Sequence, residues 1–119
     1  MIQKKTIILA SKSPRRQELL GKLDIQFDIQ ALDIDETFPP ELDPFKVPEY
    51  LARLKSDPFN KKVAQDTVVI TSDTVVINNG KIMGKPNDLT DALSMILELS
   101  DKTHYVATGV CLQFSDRKI

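Results

Sequence analysis

The apolar and polar positions change period several times along the chain, and each change marks an element. Residues 6–10 form a short β-branched and apolar run, the pattern of a buried strand. The run stops at Ser11-Lys12-Ser13-Pro14, where serine followed by proline is the chemistry of a helix start, with Ser13 as N-cap and Pro14 at the first helical position. Leu19, Leu20 and Leu23 carry the helix on as an apolar stripe, with Gly21 expected to weaken it without ending it. Ile25, Phe27, Ile29 and Ala31 then alternate with polar residues, which predicts a half-buried second strand.

Residues 33–43 read as an acidic loop, since Pro39 and Pro40 suit neither helix nor central strand. Val47, Tyr50, Leu51 and Leu54 make one face of a short helix that Asp57-Pro58 interrupts. Residues 67–70 and 74–77 predict two strands separated by Thr71-Ser72-Asp73, and Asn78-Asn79-Gly80-Lys81 has hairpin-turn chemistry. After Gly84-Lys85-Pro86, Asp88 is placed to cap a helix carrying Leu89, Ala92, Leu93, Ile96 and Leu99. Residues 104–114 predict one long strand, followed by a turn whose return strand is missing. This order of elements indicates an α/β domain with a mixed sheet.

Composition narrows the function classes. The 119 residues make one domain of ordinary soluble character, with 41% hydrophobic and 28% charged residues. A formal net charge of −1 removes any general pull toward nucleic-acid polymers or anionic membranes, so a polyanionic ligand must be held by locally placed Lys and Arg. No apolar run has the length of a membrane span or of a signal-peptide core. Cys111 is the single cysteine, which excludes an internal disulfide and fits a reducing cytoplasm.

Five places carry candidate chemistry. The helix opening at Ser13 has Arg15 and Arg16 in its first turn and Lys12 just before it, where acidic residues are the favourable choice. An anionic phosphate there would engage free N–H groups, serine hydroxyls and guanidinium forks together, whereas the plain alternative is a solvated basic helix start. Asp73 sits between two apolar runs, either as a carboxylate at a strand end that serves water or a metal, or as a turn residue. Asp33, Asp35 and Glu36 offer a second carboxylate for Mg²⁺ or Mn²⁺, or simply a solvated acidic loop. Lys55 lies on the helix of Leu51 and Leu54, and Lys85 is pinned between Gly84 and Pro86; His104 and Cys111 read as structural strand positions.

Taken together, these places have a likeness. The stretch Leu9-Ala10-Ser11-Lys12-Ser13-Pro14-Arg15-Arg16-Gln17-Glu18-Leu19-Leu20 resembles the opening motif of the Maf family of nucleotide pyrophosphatases. The likeness continues in register through Asp35-Glu36, residues 52–55, Ser72-Asp73-Thr74-Val75-Val76, Gly84-Lys85-Pro86 and residues 99–110. It departs at Asp101, where the family usually has glycine, and it stops short of the family's C-terminal third. The expectation is therefore that residues 1–119 form the N-terminal part of a single Maf-like domain, with the mixed α/β fold shared with inosine triphosphatases and a sheet left without its last partner.

The resemblance also implies roles. Asp73 matches the family's proton acceptor, while Arg15 and Thr74 match positions tied to nucleotide choice and look like the dTTP/UTP-preferring branch. Ser11, Ser13, Arg16, Glu36, Lys55 and Lys85 fall on the remaining polar positions that line the family's cleft, with Glu36 and Asp73 expected to hold the metal and the others the substrate. The implied activity is hydrolysis of dTTP or UTP to the monophosphate and diphosphate with Mg²⁺ or Mn²⁺, by a cytoplasmic homodimer. The rival readings are an inactive or truncated nucleotide-binding domain and an inosine triphosphatase-like house-cleaning enzyme.

Overall fold

A computed structural model describes residues 6–30, 34–83, 88–99 and 104–119. Strand β1 (Thr6–Leu9) leads into helix α1 (Pro14–Gly21), which brings the chain back to β2 (Asp28–Ile29). A 3₁₀ turn (Pro44–Lys46) runs into α2 (Val47–Ser56), and a second (Asp57–Phe59) follows it. The rest of the chain is β3 (Thr67–Asn78), β4 (Lys81–Met83), α3 (Leu89–Leu99) and β5 (His104–Gln113).

The sheet is mixed and built around β3. Along one edge β1 pairs parallel with residues 67–70 and β4 pairs antiparallel with residues 76–78. Along the other edge β5 runs antiparallel from Val69↔Gln113 to Asn78↔His104. β2 closes the far side as a parallel partner of β1. Residues 71–75 therefore have no partner strand on the β1/β4 edge among the described residues. The β3–β4 hairpin turns on Asn79 (φ 52°) and Gly80 (φ 73°), a pair of left-handed residues that suits a two-residue turn and explains the Asn-Gly in the sequence.

The strand period decides what each side of β3 meets. Val69, Thr71, Asp73, Val75 and Ile77 alternate onto the side covered by α2, and all are buried. Val47 and Leu51 of α2 join Val75 and Ile77 in the core, with Phe38, Leu42, Leu54, Ile82 and Ala107 packed around them. Burial of each such side chain contributes about 1.5–3 kcal/mol. Phe45 and Tyr105 extend the contact edge to face at 5.4 Å. On the opposite side of the sheet, among the described residues, Val106 and Val110 are exposed, as are Leu89 and Leu97 of α3 (77% and 75%). Among the described residues no helix is long and apolar enough to cross a membrane.

Several expectations need correction. β3 is a single twelve-residue strand, not two strands around a turn. The turn formers at residues 71–73 stay extended because β5 supplies an unbroken ladder, and because Thr71 finds a side-chain partner in the Ala52 carbonyl at 2.7 Å. α1 ends at Gly21, so Leu23 lies beyond it and is exposed. The alternation around residue 27 yields only the short edge strand β2, both residues exposed, and Ala31 lies outside the described residues. The return after β5 does begin: Leu112 and Ile119 exchange backbone hydrogen bonds of 3.0 and 2.9 Å, and Lys118 bridges Gln113.

Candidate active site

One half of the site is local. Ser13 is the N-cap of α1, extended at φ −71°, ψ 115°, and its Oγ accepts the Arg16 N–H at 3.3 Å. Ser11 Oγ accepts the Ser13 N–H at 3.1 Å, and Gln17 Nε2 donates back to the Ser11 carbonyl at 3.1 Å. The helix has no acidic residue in its first turn. Arg15 and Arg16 thus add positive charge at the positive end of the helix dipole, an arrangement that an anion relieves.

The other half is assembled by packing. The gap in the β1/β4 edge leaves the Ser72 carbonyl without a strand donor, and a backbone carbonyl so placed needs one. Two cations supply it, Arg16 Nη1 at 3.1 Å and Lys55 Nζ at 3.2 Å. From there the two side chains diverge. Arg16 Nη2 reaches Thr74 Oγ1 at 3.3 Å, which in turn lies 3.0 Å from Thr108 Oγ1. Lys55 Nζ pairs with Asp73 Oδ1 at 2.9 Å and Glu36 Oε1 at 3.2 Å.

Asp73 is 7% exposed, and its Oδ2 finds no hydrogen-bond partner among the described residues. A buried carboxylate is costly unless paired, and Lys55 is the partner that Asp73 has in this packing. Its second oxygen remains a buried acceptor with no partner among the described residues.

Most of the residues anticipated from sequence meet here. Ser11, Ser13, Arg16 and Thr74 form one connected set, and Lys55, Asp73 and Glu36 another, joined at the Ser72 carbonyl. Asp73 lies in mid-strand and not at a strand end, buried on the α2 side of β3 within the stretch that has no partner on the β1/β4 edge among the described residues. The Arg15 side chain is 72% exposed and pairs with Glu18 at 4.0 Å. Asp35 turns inward on its own loop, accepting from the Thr37 hydroxyl. Lys85 and Asp33 lie outside the described residues. Sequence reading gave no role to Gln17, Thr108 and the Ser72 carbonyl; all three lie in the motif blocks, but nothing local shows what each of them faces.

Two carboxylates flank Lys55, and these are the donors a hard cation would use. Among the described residues there is no group of three or more His, Cys, Asp or Glu side chains placed to hold a metal. Mg²⁺ is commonly bound by one or two carboxylates with substrate phosphates completing its shell, and the free Asp73 Oδ2 with Glu36 fits that donor set. A cavity of about 480 Å³ lies elsewhere, near the start of β3, lined by Ile8, Gln30, Phe59, Val63, Thr67 and Val69 among others. It has no carboxylate in its lining, so the chemistry is assigned to Asp73 and not to this hollow.

A family model described as "Maf-like protein" matches residues 6–119. The chain belongs to the Maf-like family. Among its Maf-like relatives is a dTTP/UTP pyrophosphatase of Porphyromonas gingivalis, 52% identical over 114 residues, which cover 93% of this chain and 57% of that protein. Another dTTP/UTP pyrophosphatase, from Parabacteroides distasonis, is 41% identical over 119 residues, 99% of this chain and 62% of the relative. The chain thus spans about three fifths of the length of these curated relatives. Among solved structures, the Staphylococcus aureus Ham1 protein superposes with a TM-score of 0.60 over 97% of this chain and 67% of that one. At 15% identity that likeness shows the fold, a mixed α/β sheet shared between the Maf-like and Ham1-type proteins.

Proposed function

We propose that this protein is a metal-dependent nucleoside triphosphate pyrophosphatase acting on dTTP and UTP. The observation that carries the reading is Asp73: a buried carboxylate with one oxygen on Lys55 and the other without a partner among the described residues, beside a helix start that favours an anion. The names of the Porphyromonas and Parabacteroides relatives support the choice of substrate.

In this reading the triphosphate lies across residues 11–16, with Arg16 and the free N–H groups of α1 on its oxygens and Lys55 and Lys85 neutralising charge that develops in the transition state. Asp73 Oδ2 accepts a proton from the attacking water. The water oxygen bonds to the α-phosphorus, the bond from that phosphorus to the bridging oxygen breaks, and diphosphate leaves. Glu36 and Asp73 would hold Mg²⁺ or Mn²⁺, whose contribution when bound is to offset phosphate charge next to two carboxylates. Arg15 and Thr74 bear on nucleotide choice.

The same reading takes the protein as a cytoplasmic homodimer, supported by the exposed apolar side chains of α3; a single species of monomer mass across the micromolar range in sedimentation velocity would remove that part. The main test is diphosphate release by this chain across a panel of nucleotides, with Mg²⁺, Mn²⁺ or EDTA. Turnover of dTTP and UTP that EDTA abolishes is the expected result. Binding without turnover would make it a nucleotide-binding domain, and preference for inosine triphosphate would shift it to the purine house-cleaning class.

A further inference from the structure

We infer that Gly109 is a positioning residue for the Lys55–Asp73 pair, setting the height at which α2 sits on the sheet. Gly109 lies directly across from Asp73 in the β3–β5 ladder. Its neighbours on the same side of β5 all touch the layer that α2 begins: Ala107 packs on the core cluster, Cys111 Sγ lies 3.8 Å from Ser56 Oγ, and Gln113 Nε2 donates to Asn60 Oδ1 at 2.6 Å. At position 109 there is no room for any side chain. A Cβ there would stand 2.6 Å from the Pro48 carbonyl oxygen, and nearer still to the Pro48 carbonyl carbon and the Glu49 nitrogen.

These are backbone atoms and cannot rotate aside, so the helix would have to lift. Conformation is not the reason for glycine here, because the positive-φ glycine among the described residues is Gly80. Close approach is the reason. Pro48, Ala52 and Ser56 recur at four-residue spacing and form the buried seat of α2, clamped midway by the Thr71 hydroxyl on the Ala52 carbonyl at 2.7 Å.

Lys55, one residue before the end of that seat, spans three acceptors at 2.9 to 3.2 Å: Asp73 Oδ1, Ser72 O and Glu36 Oε1. A rise of α2 by about 1 Å is a third of these lengths, enough to loosen a set of contacts that Lys55 holds all at once. Gly109 touches neither substrate nor Asp73; it acts through the helix. The Arg16–Thr74 half, on the other side of the strand, does not depend on α2.

The inference rests on the pyrophosphatase reading for its consequence in turnover, but not for its geometry, and the experiment separates the two. Gly109→Ala is compared with wild type in the rate of acylation of each lysine by an amine reagent, read by mass spectrometry, and in dTTP turnover with and without Lys55→Met. Lys22 is the internal control, since it is paired to Glu18 within the α1 segment and does not involve α2. Lys55 is expected to label several-fold faster while Lys22 is unchanged, and kcat to fall on the order of a hundredfold with KM little altered. In the Lys55→Met background the same substitution should add little. Unchanged Lys55 labelling, equal acceleration at both lysines, or losses that multiply in the double variant would each overturn the inference. A wild-type chain that hydrolyses no nucleotide would overturn the function reading alone, the labelling result still deciding on Gly109. Should Gly109→Ala not fold, Ala52→Ser crowds the same seam from the helix side and is read by the same criteria.

Discussion

The two halves of the site are built by different means. Ser11, Ser13, Arg16 and Gln17 fall within seven consecutive residues, and their mutual contacts follow from one helix start. Lys55, Asp73 and Glu36 come from a helix, a strand and a loop, and meet only because α2 lies flat on the sheet. The first half exposes its charge to solvent and has the character of a grip for an anion. The second buries Asp73 against Lys55, close and, among the described residues, partly unsatisfied. An anion grip tolerates motion, while a base must be held within a fraction of an ångström, so it is fitting that packing supports the base and local capping the grip.

The largest effect is expected from Asp73→Asn. It keeps the shape and removes the proton acceptor, so turnover of dTTP should fall by roughly 10²–10⁴-fold with the fold retained. Steady-state kinetics beside far-UV circular dichroism checks this, and near-normal turnover would remove Asp73 from the mechanism.

Lys55→Met probes the same half through stability. It strands a buried carboxylate, and the expected loss is about 3 kcal/mol, the low end for such pairs because Lys55 keeps some solvent contact. Urea unfolding should show most of that loss recovered when Asp73→Asn is added. Additive losses would mean that the two side chains do not depend on each other.

In the local half, Arg16→Ala should weaken triphosphate binding by about 1.5–3 kcal/mol, the range for charge-assisted hydrogen bonds, without the stability loss of Lys55→Met. Arg15→Ala should act chiefly on the ratio of dTTP to other nucleotides, and Lys12→Ala on neither. Calorimetric titration with a non-hydrolysable analogue and a nucleotide panel would show it. Identical profiles for the Arg15 and Lys12 variants would end the assignment of Arg15.

The smallest effect is expected from Ser13→Ala, about 1 kcal/mol in unfolding free energy from the lost N-cap, with a modest rise in KM. If it cost as much as Lys55→Met, the contrast between a local and a packed half would fail.

Legibility from sequence follows the same division. The cap at Ser13, the hairpin at Asn79-Gly80, the break at Asp57-Pro58 and the long last strand were all readable, because each is written in neighbouring residues whose backbone preferences agree. The likeness to the Maf-like family was readable as well, since motif order is a property of the linear chain. Residues 71–73 were misread as a turn because their propensities favour one, and only the ten-residue pairing with β5 overrides them. The lengths of α1 and β2 were likewise misjudged where no packed layer supports the apolar pattern. What only the tertiary structure decided is where charge is buried and what it meets: the gap between β1 and β4 that frees the Ser72 carbonyl, the convergence of Arg16 and Lys55 upon it, and the close seat of α2 over Gly109. These depend on contacts between residues far apart in sequence, and no local preference encodes a distance across a sheet.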